Sequence, residues 1–293
     1  MAVLCAACGS QAAPAPVPPV VARVAGTPIT AALFQVRLHS TLTALAQEGG
    51  PTSNAAMTAQ VRASVLRSLL MDAVIAEEAA AAHVAATESE IDAQVAADVQ
   101  AAGGPAQLES QLASVGGSMT QLNDEIRSSL NEQKLEYLLA AQRAAAVEQQ
   151  LSSGVAFATV AAQLSDDTST ASHGGDLGAV PRAQVEGEDP AYAAAVLALQ
   201  PGQTSAPIRD AQGYDIVQLE RASPVALMLR HIIIDAPEPY TVKERPGWFA
   251  EAIFEALARD CAAGEIHIYI GNVGDDPCAA AAATAAPSPS TTP

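Results

Sequence analysis

Apolar residues recur at helical spacing through most of the first half of the chain. Side chains three or four residues apart share one face of a helix. The clearest stripe consists of Phe34, Leu38, Leu42 and Leu45. Residues 21–30 instead alternate apolar and polar side chains around a turn at Gly26, which predicts a short pair of strands. The pattern therefore predicts a mainly helical N-terminal domain over residues 21–150.

The pattern changes near Gly154, where loops rich in Gly, Asp and Ser begin. Residues 214–219 and 227–234 are predicted strands, 247–262 fit an amphipathic helix, and 266–270 alternate like a last strand. A helical half followed by mixed helices and strands indicates the α+β fold class.

Charge and hydropathy limit the possible partners of the chain. Its 293 residues include 14 Lys and Arg against 32 Asp and Glu, a net charge of −18. Such a polyanion repels phosphate backbones, so we expect no nucleic-acid binding. No apolar run reaches the roughly 18 residues that a membrane-spanning helix needs, and we expect membrane contact only through a lipid anchor.

The anchor is suggested by the first residues, Val3–Ser10, which resemble a bacterial lipobox with the lipid on Cys8. The basic and apolar lead-in of a signal peptide is missing from this sequence. Residues 1–20 are thus interpreted as a truncated lipoprotein signal with a Pro-rich tether. The alternative is that Cys5 and Cys8 are small buried residues.

The two remaining cysteines, Cys261 and Cys278, form an even pair, as expected of an exported chain that can oxidise them. The alternative is two free thiols. No spacing of His, Cys and acidic residues supplies three metal ligands, and no nucleotide-binding motif is present, so we expect neither metal nor cofactor. Residues 276–293, rich in Ala, Pro, Ser and Thr, are expected to be disordered.

Five short motifs lie in order between residues 154 and 219. They are Gly154-x-x-Phe157, Ala161-x-x-Leu164-Ser165-Asp166-Asp167, Gly174-Gly175-Asp176-Leu177-Gly178, Leu197-x-Leu199-x-Pro201-Gly202 with Ser205-x-Pro207, and Gly213-Tyr214-x-Ile216-Val217. Together they resemble the parvulin (rotamase) family of peptidyl-prolyl cis-trans isomerases. Residues 24–30 and the helices after them resemble the N-terminal chaperone segment of the SurA/PrsA-type exported foldases.

The resemblance implies a parvulin-like α+β domain with an antiparallel sheet at residues 151–275, including a C-terminal β-α-β extension. It implies an extracytoplasmic isomerase, lipid-anchored to the outer face of the bacterial cell membrane. Its partners would be unfolded or proline-containing polypeptides, whose folding it assists by rotating X–Pro bonds.

The resemblance also assigns candidate site residues. Asp167 takes the Cys or Asp position of the family's polar cluster, and Asp215 stands where the family has a second His. A carboxylate accepts but does not donate a hydrogen bond at neutral pH. With Asp215 at this position, the cluster therefore lacks a hydrogen-bond donor that the family's His would supply. The expected substrate-binding residues are Leu177, Val185 and Tyr192 in the proline cup, together with the polar Gln212.

The family's opening strand, which carries a His, is missing before Gly154. Residues 228–234 resemble that strand but follow the last parvulin strand, at 214–219. Our hypothesis is that 228–234 pairs with 214–219, as in a circular permutation, and returns His231 to the catalytic cluster. The alternative is that His231 begins a separate appendage or the remnant of a second repeat.

Two functions remain open from the sequence. The first is a prolyl isomerase that acts on secreted chains, favoured by Asp167, the GGDLG motif and the cup. The second is a holdase that binds unfolded segments with weak or no catalysis, favoured by Asp215 and the missing strand.

Overall fold

The computed structural model describes residues 19–47, 55–238, 240, 245–271 and 278. It contains two compact units. The first comprises residues 1–73 and 257–293, and the second comprises residues 74–256. The predicted domain limits at residues 150 and 275 do not coincide with this division and stay a prediction.

The N-terminal half is mainly helical, as its apolar periodicity predicts. A strand hairpin precedes five helices, and Thr87 caps the third helix in a capping box with Glu90. The elements are β1 (Val20–Val24), β2 (Thr27–Thr30), α1 (Ala31–Gln47), α2 (Ala55–Ala81), α3 (Glu88–Ala102), α4 (Pro105–Ser114) and α5 (Met119–Ser152).

The second half alternates short helices and strands. The elements are α6 (Phe157–Leu164), a 3-10 turn (Ala171–His173), β3 (Asp176–Pro181), α7 (Arg182–Glu186), α8 (Pro190–Leu197), β4 (Ile208–Arg209), β5 (Gly213–Ala222), β6 (Ala226–Asp235), α9 (Gly247–Ala263) and β7 (Ile266–Ile268). The α+β class and the antiparallel sheet are thereby confirmed.

In the first unit, β1 is the central strand of a three-stranded antiparallel sheet in the order β2-β1-β7. Val21 and Ala22 of β1 are fully buried, so the backbone of this strand needs partners on both edges. β7 supplies the second edge, which corrects the expected β-α-β extension: β7 lies beside β1, whereas β6 belongs to another sheet. In the same unit, a disulfide joins Cys261 to Cys278.

In the second unit, a four-stranded antiparallel sheet has the order β3-β6-β5-β4. β6 pairs with β5 along almost its whole length, with Val217 opposite His231 and Tyr214 opposite Ile234. On its other edge, β6 pairs with β3. The predicted pairing of 228–234 with 214–219 is therefore confirmed, and this segment fills the centre of the sheet.

The two faces of this sheet are covered by different helices. Ile216, Ile232 and Ile234 are fully buried on the face that packs against α5 and α6. The opposite face forms an apolar cluster with residues of α7 and α8. This cluster consists of Val185, Val196, Ile208, Val217, Leu219, Leu227 and Leu229.

None of the helices within the described residues has the length and hydrophobicity required to span a membrane. The lipidation candidate Cys8 and the Pro-rich tether lie outside the described residues. The C-terminal tail also lies outside them, except for Cys278.

The long helix α5 carries a fully buried carboxylate, Glu136, whose two carboxyl oxygens have no hydrogen-bond partner among the described residues. Burial, followed by the negative charge of Glu132 one turn earlier, raises the pKa of Glu136 to about 7. Arg245 and Arg209 lower this pKa and Asp235 raises it, but burial outweighs them.

A glutamate whose pKa is higher in the folded than in the unfolded protein destabilises the fold when it ionises. We therefore expect the contribution of Glu136 to stability to be fully present below about pH 4.5 and to be lost as the pH rises through 7. The loss should be on the order of 3 kcal/mol. Glu136→Gln should remove it, so that the free energy of unfolding of the variant falls less between pH 5 and pH 8 than that of the wild type.

Urea unfolding followed by the fluorescence of Trp248, the only tryptophan, measures this difference. The matched control is Glu109→Gln, which changes an exposed glutamate on α4. Parallel pH profiles for the wild type and Glu136→Gln would contradict the expectation.

Candidate functional site

Three polar residues predicted to act together come from three separate elements of the second unit. His231 lies on β6, Asp215 on β5, and Asp167 in the loop after α6. His231 is opposite Val217, and Asp215 is opposite Ile233, so His231 and Asp215 are diagonal neighbours on one sheet face. That face continues into the apolar cluster.

The His231 ring lies between the two carboxylates. Its Nε2 atom is 2.8 Å from Oδ2 of Asp167, and its Nδ1 atom is 3.7 Å from Oδ2 of Asp215. The Thr170 hydroxyl donates to Oδ2 of Asp167 and lies 3.2 Å from Nε2 of His231. An imidazolium donates from both ring nitrogens, so the charged form suits this arrangement.

Asp167 is held as an anion by its own loop. The backbone N–H and the hydroxyl of Ser169 both donate to its Oδ1, at 3.0 and 2.6 Å. Burial raises the pKa of Asp167, but hydrogen bonds from Ser169, Thr170 and His231 outweigh it and hold this pKa well below its usual range.

The pKa values of Asp215 and His231 are both raised above their ordinary values. Asp215 is only 5% exposed, and its Oδ1 atom has no hydrogen-bond partner among the described residues. Burial therefore raises the pKa of Asp215, although His231 partly offsets the effect. Burial lowers the pKa of His231, but hydrogen bonds and charges from Asp215 and Asp167 outweigh it and leave this pKa raised.

The loop that carries Asp167 is fixed to β6 by three hydrogen bonds. Asp166 N–H donates to Ile233 O at 2.8 Å, Ile233 N–H to Ser165 Oγ at 3.1 Å, and Asp235 N–H to Asp166 Oδ2 at 2.8 Å. Arg143 of α5 also pairs with Asp166, at 3.3 Å. Sequence reasoning did not assign these positioning roles, although Ser165 and Asp166 adjoin Asp167 in one of the quoted motifs.

The glycines before β3 permit a close approach to β6. Gly175 has φ +75°, and a Cβ atom there would lie 2.1 Å from His231 O. With glycine at residue 175 the two strands come close enough for the His231 N–H to donate to Gly175 O at 2.8 Å. The edge of β6 that faces β3 is thus fixed at His231 by a contact that only glycine permits.

The predicted substrate-binding residues fall into two groups. Leu177 and Tyr192 are partly buried and pack against the apolar cluster, whereas Val185 is 1% exposed and belongs to its interior. As a correction, Val185 is a core residue and not a contact for the substrate, because a side chain so buried presents no surface to it. Tyr192 is close enough to Asp215 that this carboxylate, after burial, contributes to raising the pKa of Tyr192.

Gln212 lines the same cavity as Asp167 and His231. The cavity has a volume of about 510 Å³. Its lining consists of Asp166, Asp167, Thr168, Ala211, Gln212, His231, Ile233, Asp235 and Pro237. The structure therefore brings Asp167, His231 and Gln212 to one opening.

Among the described residues there is no group of three or more His, Cys, Asp or Glu side chains that could hold a metal ion. The polar cluster presents one cation between two anions beside an open cavity. Such an arrangement provides electrostatic stabilisation and hydrogen bonding without a nucleophile.

Comparison with protein families gives two matches. Residues 119–221 match the rotamase family, described as the PPIC-type PPIase domain, and residues 4–136 match the SurA-like N-terminal domain. The resemblance noted in the sequence is confirmed by these matches. The rotamase match ends before β6, so His231 lies outside it.

Curated relatives share parts of the chain. The foldase protein PrsA of Clostridium kluyveri is 40% identical over 72 residues, which are 25% of this chain and 21% of that protein. The chaperone SurA of Chromohalobacter salexigens is 37% identical over 90 residues, which are 31% of this chain and 19% of that protein. This chain thus covers about a fifth of the length of these relatives.

Solved structures that align with the chain include the foldase PrsA of Streptococcus pneumoniae. The TM-score is 0.31 at 13% identity, over 85% of this chain and 95% of that chain. For the PrsA peptidylprolyl isomerase of Bacillus cereus the TM-score is 0.27 at 14% identity, over 84% of this chain and 92% of that chain.

The site geometry predicts the titration of His231. Because Asp167 and Asp215 stabilise its imidazolium, NMR of histidine-labelled protein should give His231 a pKa above its ordinary value of 6.5. Asp215→Asn removes one charge and should lower this pKa. In the wild type, the ion pairs of His231 contribute stability that is fully present below pH 6.5 and is lost as the pH rises through the pKa of His231 in the folded protein.

Asp92→Asn, a change at an exposed carboxylate on α3, serves as the control and should leave the His231 titration unchanged. An ordinary or lowered pKa for His231 in the wild type would refute the ion-pair geometry.

Proposed function

We propose that this chain, which carries a PPIC-type isomerase domain and a SurA-like N-terminal domain, is a peptidyl-prolyl cis-trans isomerase. It assists the folding of secreted proteins by rotating X–Pro bonds without covalent chemistry. The observation that carries the proposal is the position of His231, which β6 places between Asp167 and Asp215 at the edge of an open cavity.

The chemical task is to lower a rotation barrier of about 20 kcal/mol that comes from amide conjugation. The planar amide carries partial positive charge on nitrogen and partial negative charge on oxygen. In the twisted amide this separation is smaller, since the nitrogen lone pair is localised. Negative charge near the carbonyl oxygen therefore disfavours the planar form more than the twisted form.

The chain's residues take separate parts in this mechanism. The anionic Asp167 supplies the negative potential at the cavity, and its loop hydrogen bonds keep it ionised. His231 holds Asp167 and Asp215 in place by pairing with both. Leu177 and Tyr192 offer the apolar contact for the proline ring, because both are only partly buried against the apolar cluster.

We further propose that the clients are unfolded or proline-containing polypeptides and that the protein acts outside the cytoplasm. The disulfide between Cys261 and Cys278 supports an oxidising compartment. A lipid on Cys8 would hold the protein at the outer face of the cell membrane. Radiolabelled palmitate incorporation that is lost in Cys8→Ser tests this anchor.

A holdase remains the second candidate because of one observation. Asp215 occupies the position of a second donor, and its buried Oδ1 atom has no hydrogen-bond partner among the described residues. A site that lost a donor could bind a client segment without accelerating rotation.

A refolding assay limited by prolyl isomerisation separates the two functions. We expect the wild type to accelerate refolding, and His231→Ala and Asp167→Ala each to lower the catalysed rate by roughly tenfold to a hundredfold. Asp167→Ala removes the negative charge that favours the twisted amide, and His231→Ala removes the partner that holds Asp167 in place. His39→Ala, at an exposed histidine on α1, should keep the full rate. No acceleration by the wild type, together with suppressed client aggregation, would replace the isomerase by the holdase.

A further inference from the structure

The cavity beside His231 has an uneven charge balance. Three of its lining residues are aspartates, and none is Lys or Arg. Asp166 pairs with Arg143, which is not one of the lining residues, and Asp167 pairs with His231. The third carboxylate, Asp235, has no cationic partner among the described residues.

Asp235 lies at the end of β6, on the same strand face as His231 and Ile233, and all three residues line the cavity. Its backbone is fixed at both polar groups: the N–H donates to Asp166, and the carbonyl accepts from Trp248 Nε1 at 3.1 Å. The main chain from which the Asp235 carboxylate extends is therefore held in place, two residues after Ile233 and four residues after His231. Burial and the charge of Asp167 raise the pKa of Asp235, as expected where no cation balances the charge.

We propose that Asp235 is a specificity-determining residue, which selects clients with a lysine or arginine next to the isomerised proline. This inference rests on the proposed isomerase function, since it assigns the cavity to the chain that flanks the proline. A cationic side chain in the cavity would balance the charge of Asp235, whereas an acidic or phosphorylated one would meet three carboxylates. The apolar cup would hold the proline ring, while the cavity would bind the side chain of the residue next to proline and select it by its charge.

The size of the effect follows from Coulomb's law in a partly solvated cavity. A single charge pair at several ångströms changes the affinity by roughly fivefold at low salt, and ions screen it. The preference should therefore depend strongly on ionic strength.

The test compares short capped peptides that differ only in one residue next to proline: Lys, Leu or Glu. Binding is measured by the fluorescence of Trp248, whose indole contacts Asp235, and turnover by NMR exchange spectroscopy. In the wild type we expect the Lys peptide to bind roughly fivefold more tightly than the Glu peptide at low salt, and this ratio to approach one at high salt.

Asp235→Asn should lower the Lys-to-Glu ratio towards one, and Asp235→Glu should keep it because the charge remains. Asp92→Asn is the matched control on α3 and should also keep the ratio. Equal binding of the three peptides by the wild type, or an unchanged ratio in Asp235→Asn, would overturn the inference. Because the whole chain has a net charge of −18, the salt dependence of the wild type does not by itself assign the preference to Asp235. Asp235→Ser, which also removes the charge, replaces Asp235→Asn if that variant fails to fold, and the same fall in the ratio is expected.

Failure of the proposed function gives a different result. If the peptides bind with the Lys preference but none is isomerised, the charge selection stands and the isomerase assignment fails. If all three peptides are turned over at equal rates and bind equally, the isomerase stands and the selection by Asp235 is wrong.

Discussion

A strand inside a sheet must have its backbone hydrogen bonds satisfied on both edges, and β6 meets this requirement between β3 and β5. Almost everything at the candidate site follows from this position. The pairing of β6 with β5 places His231 diagonal to Asp215, and the contact with Gly175 fixes the other edge. The loop that carries Asp167 then attaches along β6 through Ser165 and Asp166. A segment that follows the last strand of the rotamase match therefore completes the sheet to which the matched residues belong.

The electrostatic arrangement at the site depends on the same strand. One imidazole lies between two carboxylates, and each member shifts the protonation of the others. Asp167 stays ionised because Ser169, Thr170 and His231 donate to it, while the buried Asp215 relies on His231 alone for its cationic contact among the described residues. Asp215 gives the cluster a second carboxylate, and the contacts of Asp215 and Asp167 with His231 raise the pKa of this imidazole and favour its doubly protonated form.

Much of this structure could be predicted from local patterns. Residue spacing predicts the helical stripe through Phe34 and Leu38 and the Thr87–Glu90 capping box. The absence of an opening strand before Gly154 predicts the pairing of 228–234 with 214–219. Long-range packing explains what could not be predicted. Val185 lies inside the apolar cluster, β7 pairs with β1 more than 240 residues away, and the hydrogen bonds of Ser165 and Asp166 to β6 have no sequence periodicity. The buried polar residues of α5, Asn131, Glu132 and Glu136, also depart from the usual apolar face of a packed helix.

The central claim is that β6 brings His231 into one functional unit with Asp167. A double-mutant cycle tests it most directly, with kcat/KM for a proline peptide measured in the wild type, His231→Ala, Asp167→Ala and the double variant. Residues that act as a pair give strongly non-additive losses, so the double variant should be hardly worse than either single variant. If the two losses in transition-state free energy simply add, His231 and Asp167 act independently and the account is contradicted.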